Sequence, residues 1–407
     1  MTATFTFEAV DAAGIVKKGK VQGESAEKVA QSLTNQKLVP ITVSKAGVGL
    51  NAEFKMPSLR SRTTVKDLVL FTRQFASMMS SGLTLLRALA ILEDQTEKAK
   101  LKAAVHQVRT DVQSGMTLST AMSHHPEHFP SLMIDMIMAG ETGGFLDGAL
   151  SRLATMYEAD NNLRQTIKSA LTYPVIVLIF SFLMGTGVII FIVPIFEKMF
   201  ASLGGKLPVP TQIMVALSHN MLWVAPIAVI VGLTAQYFFR RQLRSSFAFR
   251  LGVDKLKLKL PVFGNLYSKV AISRWARNLG TLVAVGVPLL QALEIVGGTS
   301  GSAVITEAMV DVGASVREGN QVSTPLSKHP LFPTMVVQML EVGEETGQVT
   351  EMLDKTADYY DREVMSATEA LTSALEPLMV VVMGAVIGAM VICLYLPMFT
   401  IYQHIGA

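Results

Sequence analysis

The stretch PVIVLIFSFLMGTGVIIFIVPIF, residues 174–196, decides the fold of this 407-residue chain. No Asp, Glu, Lys or Arg lies between Lys168 and Glu197. A helix rises about 1.5 Å per residue, so this stretch can cross the roughly 30 Å hydrocarbon layer of a bilayer. Backbone N–H and C=O groups must be paired inside a bilayer, so the stretch predicts a transmembrane helix, with Pro174 in its first turn.

The same pattern returns near the C-terminus as PLMVVVMGAVIGAMVICLYLPMF, residues 377–399. A shift of 203 residues places the proline and phenylalanine residues at the ends of one stretch on those of the other. Glycine is common in membrane helices, but two copies in register favour a role in close helix packing. The small residues that the shift aligns, four residues apart in each copy, are Ser181 and Gly185 in the first and Gly384 and Gly388 in the second.

The composition indicates a membrane protein with large aqueous domains. Hydrophobic residues make up 50% of the chain and charged residues 16%, which is too apolar for a typical soluble protein and too polar for a densely packed transporter. The net charge of +3 is too small to indicate nucleic-acid binding. Cys393 is the only cysteine, so the sequence excludes an intrachain disulfide and a cysteine-based zinc site.

A long stretch of the chain is repeated. FTRQFASMMSSGLTLLRAL, residues 71–89, aligns with WARNLGTLVAVGVPLLQAL, residues 275–293, at a shift of 204, which places Arg73 on Arg277. Both copies have a helical period and lead into an apolar span. If both repeats lie in the cytoplasm and both spans leave in one direction, a further span must return the chain. The apolar residues 220–239 supply it, and the arginines after them favour the cytoplasmic side.

The predicted fold is mainly α. It is a polytopic membrane protein with three transmembrane helices, two repeated cytoplasmic six-helix-type bundles and a small N-terminal ββαβ module. The N-terminus lies in the cytoplasm and the C-terminus outside it. The predicted segments are the N-terminal module (1–44), a linker (45–62), helical repeat 1 (63–171), the first span (172–196), a short extracytoplasmic loop (197–219), the second span (220–239), a basic juxtamembrane segment (240–269), helical repeat 2 (270–375), the third span (376–400) and an extracytoplasmic tail (401–407).

The sequence predicts no catalytic, cofactor-binding or metal-binding residues. It contains no GxxxxGK[ST] phosphate loop, no GxSxG elbow and no HExxH motif. His124, His125 and His128 lie close together, but the second repeat keeps only His329, which favours a polar loop over a metal site. The apolar stretches 174–196, 220–239 and 377–399 lack Asp, Glu, Lys and Arg, which argues against an ion-coupled transporter. A signalling receptor would need an external sensor domain, and the predicted external segments are short.

Two polar features are candidates for binding a partner. The first is a repeated glycine-acid turn, GETGG at 140–144 and GEETG at 343–347. It can be structural, with glycine ending one helix and the acid capping the next, or it can aim a carboxylate at a basic partner, and the two roles are compatible. The second feature is an acidic stripe of Glu351, Asp354, Asp358 and Asp361 at helical spacing, which the first repeat lacks. A solvated helix face is the default explanation for this stripe. The full set of candidate docking residues is Arg73, Gly140, Glu141, Arg277, Gly343, Glu344, Glu351, Asp354, Asp358 and Asp361.

With these motifs in this order, the chain resembles the inner-membrane platform protein of type IV pilus assembly machines and, equally, the F protein of type II secretion systems. The resemblance covers essentially the whole chain, and the sequence leaves open which of the two machines applies. Its carriers are the N-terminal module, residues 71–89 with their echo, the Phe-Pro steps at 129–130 and 332–333, both glycine-acid turns, PVFG at 261–264 and YLPMF at 395–399.

The resemblance implies a non-enzymatic scaffold in the bacterial inner (plasma) membrane. Its helical cytoplasmic domains would bind a cytoplasmic hexameric assembly ATPase. Its partners in the membrane would be pilin or pseudopilin subunits, which it helps into a growing fibre, and other inner-membrane assembly proteins. The resemblance further implies self-association, no cofactor and no nucleic-acid partner.

Overall fold

A computed structural model describes residues 3–10, 16–23, 26–35, 38–45, 63–202, 209–261 and 263–405. The chain divides into two compact units, residues 1–61 and 62–407. Of the predicted linker, residues 46–62 lie outside the described residues, and Lys45 ends a strand.

The N-terminal unit contains a three-stranded antiparallel sheet and one helix. In chain order the elements are β1 (Ala3–Val10), β2 (Val16–Gly23), α1 (Ala26–Asn35) and β3 (Val39–Lys45). Strand β1 lies in the middle of the sheet, between β2 and β3. Val29 and Leu33 of α1 are buried against Phe7, Val21 and Leu38, so one face of the helix covers one face of the sheet.

Residues 63–171, here called block 1, are helical. The first helix starts with a capping box, in which the Thr64 and Asp67 side chains each accept a hydrogen bond from the other residue's backbone N–H. Glycines with positive φ, such as Gly82 at 80°, allow the sharp turns between helices. The helices are α2 (Val65–Ser80), α3 (Leu85–Gln95), α4 (Ala99–Gln113), α5 (Leu118–Ser123), α6 (Ser131–Gly143) and the first half of α7 (Leu146–Gly187).

Helix α7 joins block 1 to the apolar stretch without a break. A π-helical stretch (Val188–Ile192) and α8 (Val193–Ser202) continue it directly. The predicted boundary at residues 171 and 172 therefore lies inside a helix. Pro174 also lies inside α7 and not in a first turn, because the helix already begins at Leu146.

The predicted external loop, residues 197–219, is largely helical. Its first part belongs to α8 and its second part to α9 (Val209–Ser245), while residues 203–208 lie outside the described residues. Pro210 lies within the first turn of α9, where a proline removes no helical hydrogen bond. The predicted second span lies within α9, and α10 (Phe247–Lys259) follows in the basic segment.

Residues 270–375, here called block 2, repeat the arrangement. Of its helices, the last runs for 57 residues, so the predicted boundary at residues 375 and 376 also lies inside a helix. The helices are α11 (Phe263–Ala284), α12 (Leu289–Thr299), α13 (Ala303–Arg317), α14 (Ser323–Leu326), α15 (Thr334–Thr346) and α16 (Val349–Ile405).

The two blocks share one apolar core, so they are not independent bundles. Helix α7 contacts α16 and α11, and α6 contacts α12. An aromatic pair recurs in each block: Phe71 and Phe129 have ring centroids 5.7 Å apart, and their counterparts Trp275 and Phe332 are 4.8 Å apart. The sequence repeat therefore corresponds to a repeated structure.

Two helical stretches among the described residues are long and apolar enough to cross a membrane. They are Leu146–Ile195 and Val349–Gly388, with mean hydropathies of 2.8 and 1.9 over their most apolar windows. Only 6% and 11% of those windows are buried inside the chain, so their apolar side chains face outward, as expected for contact with lipid.

Candidate functional site

An arginine–carboxylate contact joins the first and last helices of each block. In block 2, Arg277 Nη2 donates to Asp358 Oδ1 at 2.9 Å and to Asp361 Oδ2 at 2.6 Å. In block 1, the counterpart Arg73 forms a two-pronged ion pair with Glu158, which aligns with Asp361. Burial by itself would lower the pKa of Arg277, but its carboxylate partners raise it above the ordinary value. Both predicted docking arginines are therefore bound within the chain.

The acidic stripe divides into an inner and an outer pair. Asp361 also accepts a hydrogen bond from Ser273, and Asp354 lies half-buried in a cleft with Arg152 and Arg277. Burial raises the pKa of Asp354, and the two arginines oppose that shift. The outer pair is Glu351, which contacts Lys355 at 2.7 Å, and Asp358, whose side chain is 62% exposed. Only the outer pair presents open carboxylate surface.

Glu141 of the first glycine-acid turn caps a helix of its own block. Its carboxylate accepts hydrogen bonds from Leu118 N at 2.5 Å, Ser119 N at 2.9 Å and Ser119 Oγ at 2.6 Å. These are free donors at the start of α5, and a negative charge is favoured at a helix N-terminus. The sequence predicts that Glu141 caps the helix that follows the turn, but in the structure Glu141 caps α5, which precedes the turn.

Glu344 of the second turn makes the corresponding contact in block 2. It accepts from Val322 N at 2.5 Å and Ser323 N at 3.1 Å, at the start of α14. Both glutamates are half-buried. Because the two carboxylates point into their own blocks, their direct contacts are structural.

A glycine ends a helix in each turn, as the sequence predicts, and it is the last glycine of the motif, not the first. The αL residues that end α6 and α15 are Gly144 (φ 73°) and Gly347 (φ 72°). A Cβ on Gly140 would lie 2.7 Å from Ala149 Cβ, and one on Gly343 would lie 3.0 Å from Val349 Cα. These glycines instead let the next helix approach closely.

One ion pair between the blocks was not predicted from the sequence. Arg274 Nε of α11 donates to Asp160 Oδ1 of α7 at 2.8 Å, and Arg164 Nε donates to the other carboxylate oxygen at 2.7 Å. These residues line a cleft between the blocks together with Tyr157 and Asn278. Asp160 and Arg164 stand four residues apart on one helix, but nothing in their spacing indicates a partner 114 residues away.

The four small residues of the spans differ in their surroundings. Gly185 is buried, while Gly384 is exposed, and a Cβ on Gly384 or Gly388 would meet no atom of the described residues within 4 Å. The Ser181 hydroxyl donates to the Val177 carbonyl at 2.8 Å. Among the described residues, no side chain therefore packs closely against Gly384 or Gly388 of α16.

The histidine cluster has local polar contacts. His128 Nδ1 lies 2.6 Å from Thr63 Oγ1, and burial lowers the pKa of His128. In the part of the chain that the structure describes, no group of three or more His, Cys, Asp or Glu side chains is arranged to hold a metal ion.

Comparison with known protein families shows which family this chain is related to. The model for type II secretion system (T2SS) protein F matches residues 71–194 and 275–397, and the model for the N-terminal domain of that protein matches residues 1–44. The chain belongs to the type II secretion system protein F family. The two longer matches cover the repeated blocks and their apolar helices, which confirms the resemblance predicted from the sequence.

Relatives within this family include proteins of two kinds. The chain is 39% identical to the type IV pilus assembly protein PilC of Thermus thermophilus, over 98% of both chains. It is 38% identical to the protein of the same name from Myxococcus xanthus, over 98% of this chain and 95% of the relative. It is 29% identical to the type II secretion system protein F of Vibrio cholerae, over 97% of both chains.

Proposed function

We propose that this protein is the non-enzymatic inner-membrane platform of a machine that assembles type IV pili. It couples a cytoplasmic hexameric assembly ATPase to the insertion of pilin subunits into a growing fibre. The observation that carries this proposal is the end-to-end similarity to type IV pilus assembly proteins, at 39% identity over 98% of the chain. Identities of 29% to 32% to type II secretion system proteins F are lower than this value, which favours pilins over pseudopilins as the cargo.

The long helices provide a physical link between motor and membrane. Helix α16 has 57 residues and is about 85 Å long, and α7 has 42 residues. Each begins in a block and runs into an apolar stretch without a loop. A displacement of the block by the ATPase would therefore be carried into the bilayer with little loss at a hinge.

The proposed topology has three spans in the bacterial inner membrane. Helices α7 and α16 supply the first and third, and residues 220–239 of α9 supply the second. Arg240 and Arg241 follow this second span directly and favour the cytoplasmic side. Both blocks then lie in the cytoplasm, as does the N-terminus, and the C-terminus lies outside it.

The partners would use different surfaces. Glu351 and Asp358 are the exposed acids of the acidic stripe and form the proposed docking surface for the ATPase. The face of α16 at Gly384 and Gly388 would receive a pilin helix, because small residues let membrane helices approach closely. Other inner-membrane assembly proteins and a second copy of the chain complete the proposed set of partners.

The test measures binding of the assembly ATPase to the full chain in lipid nanodiscs. We expect saturable binding, and we expect the double variant Glu351→Lys, Asp358→Lys to weaken it at least about tenfold through like-charge repulsion. The matched control reverses two exposed acids of block 1, Asp94→Lys and Glu97→Lys, and should bind as the wild type does. No binding by the wild-type chain would refute the proposed function. Normal binding by the first double variant would refute only the docking surface.

A further inference from the structure

The two blocks meet through a contact that is used only once. Helix α6 of block 1 contacts α12 of block 2. In sequence, α15 is the counterpart of α6 and α3 is the counterpart of α12. A symmetric pairing of the blocks would join α15 to α3 in the same way, but the described residues show no comparable contact between these helices. One copy of each surface is therefore left open.

The contact that is used, here called the closed contact, is mostly uncharged. Its one acid, Asp135, is half-buried there, and burial raises its pKa. Beside this contact lies a groove that is open to solvent, and Met138, Thr142 and Gln291 are exposed in it. The residues that line the groove are Asp135, Met138, Ala139, Thr142 and Gly143 on α6, Phe145 after it, and Val285, Gly286, Val287, Pro288 and Gln291 at the turn into α12.

The two open counterparts carry opposite charges. The residues of α15 that align with Asp135, Met138, Ala139 and Thr142 at a shift of 203 are here called the acidic face. They are Gln338, Glu341, Val342 and Glu345. The residues at the turn into α3 that align with those at the turn into α12, at a shift of 204, are here called the basic turn. They are Ser81, Gly82, Leu83, Thr84 and Arg87.

Glutamates thus replace Met138 and Thr142, and an arginine replaces Gln291, at positions that line opposite walls of one groove. Glu341, Glu345 and Arg87 are all exposed. Within the described residues none of these three has an ion-pair partner. The apolar Val342 between the two acids is 47% exposed. A surface that resembles the closed contact, with complementary charges added, is therefore available on both blocks.

We propose that a second copy of this chain occupies these surfaces, with the acidic face of one copy against the basic turn of the next. This deepens the self-association included in the proposed function and rests on its topology. Both surfaces belong to blocks on the same side of the membrane in the proposed topology, so two chains in one membrane can bring them together. The association is head-to-tail and reuses a packing that the chain already makes internally. Because its added contacts are exposed charges, it weakens as salt is raised.

The first test reverses the charges in the full chain, purified in detergent, and measures its association by sedimentation. Arg87→Glu alone and the pair Glu341→Arg, Glu345→Arg alone should each weaken association at least about tenfold. A chain carrying all three changes should associate as the wild type does, because the charges again match. Lys102→Glu and Glu318→Arg reverse exposed charges elsewhere and should have no effect. Unchanged association in the first two variants would overturn the proposal.

The second test is disulfide crosslinking in a Cys393→Ser background. A chain with Arg87→Cys and one tag is mixed with a chain with Glu345→Cys and a different tag. We expect a disulfide-linked heterodimer in the mixture and no linked dimer from either chain alone. Absence of the heterodimer would overturn the proposal. A third chain carries both Arg87→Cys and Glu345→Cys, and a disulfide that forms only within this chain and never between two chains would also overturn it. ATPase binding by the Arg87→Glu chain is measured in parallel, so loss of the interface and loss of the proposed function are separate results.

Discussion

Replacing Glu141 with alanine removes the carboxylate that caps α5. Three donors lose their acceptor: the backbone N–H groups of Leu118 and Ser119 and the Ser119 hydroxyl. The helix is short, with six residues, so these contacts form a large part of what holds its first turn in place. We expect α5 to open more often while the rest of block 1 keeps its fold.

The size of the effect follows from the contacts. Loss of a helix cap costs about 0.5–2 kcal/mol, and loss of a negative charge at a helix N-terminus about 0.3–1 kcal/mol. Water can reach the half-buried site and replace part of the interaction, so we expect a total of about 2 kcal/mol for local opening. Glu344→Ala removes two hydrogen bonds and no hydroxyl contact, so we expect about 1 kcal/mol at α14.

Hydrogen exchange of the full chain, followed by mass spectrometry, measures this opening directly. A loss of 2 kcal/mol corresponds to about 30-fold faster exchange in the peptide that covers α5. Glu141→Gln keeps one acceptor oxygen and should give a smaller increase. Glu97→Ala, at an exposed site, should change exchange there by less than about threefold. Unchanged exchange in α5 after Glu141→Ala would refute the capping role.

Three further predictions concern the free energy of unfolding of the full chain in detergent. Arg277→Ala should cost about 2–3 kcal/mol because it leaves two carboxylates without their partner. Arg73→Ala removes a more exposed ion pair and should cost about 0.2–1 kcal/mol. Equal losses for the two variants in denaturant titrations would contradict this. Gly140→Ala should cost about 1–3 kcal/mol through overpacking. Gly148→Ala, where a Cβ would meet no described atom within 4 Å, should stabilise by up to about 1 kcal/mol, and thermal unfolding of both variants tests the clash. Burial raises the pKa of Asp354, so the contribution of this residue to stability falls as the pH rises through that raised pKa. Asp354→Asn should therefore stabilise the chain more at pH 7 than at pH 4. The same gain in stability at both pH values would contradict this.

Some contacts could be anticipated from the sequence because they repeat. The alignment of Phe71 with Trp275 and of Phe129 with Phe332 places an aromatic pair in each core, since equivalent positions of a repeat have equivalent neighbours. The family relationship was also accessible, because it is carried by ordered motifs along the whole chain.

The roles of the glycine-acid turns were only partly accessible. Glycine and glutamate near a helix boundary predict a cap, but Glu141 caps a helix that lies 23 residues earlier in the chain. Local spacing describes only neighbours on the same helix, so it assigned the carboxylate to the following helix. Asp358 and Asp361 likewise read as a solvated stripe, because Arg277, more than 80 residues away, is invisible to a local pattern.

The sequence by itself determined the apolar helices and the duplication. A bilayer accepts only a continuous apolar helix of sufficient length, and such a run is visible without any knowledge of its neighbours. The tertiary structure decided how the two copies are used. It joins the blocks through one core and through contacts that the described residues do not repeat between the equivalent helices, such as that of α6 with α12, and it turns the repeated glutamates inward. Those outcomes depend on which surfaces meet across hundreds of residues, and two nearly equal repeats do not specify which of their equivalent faces is covered.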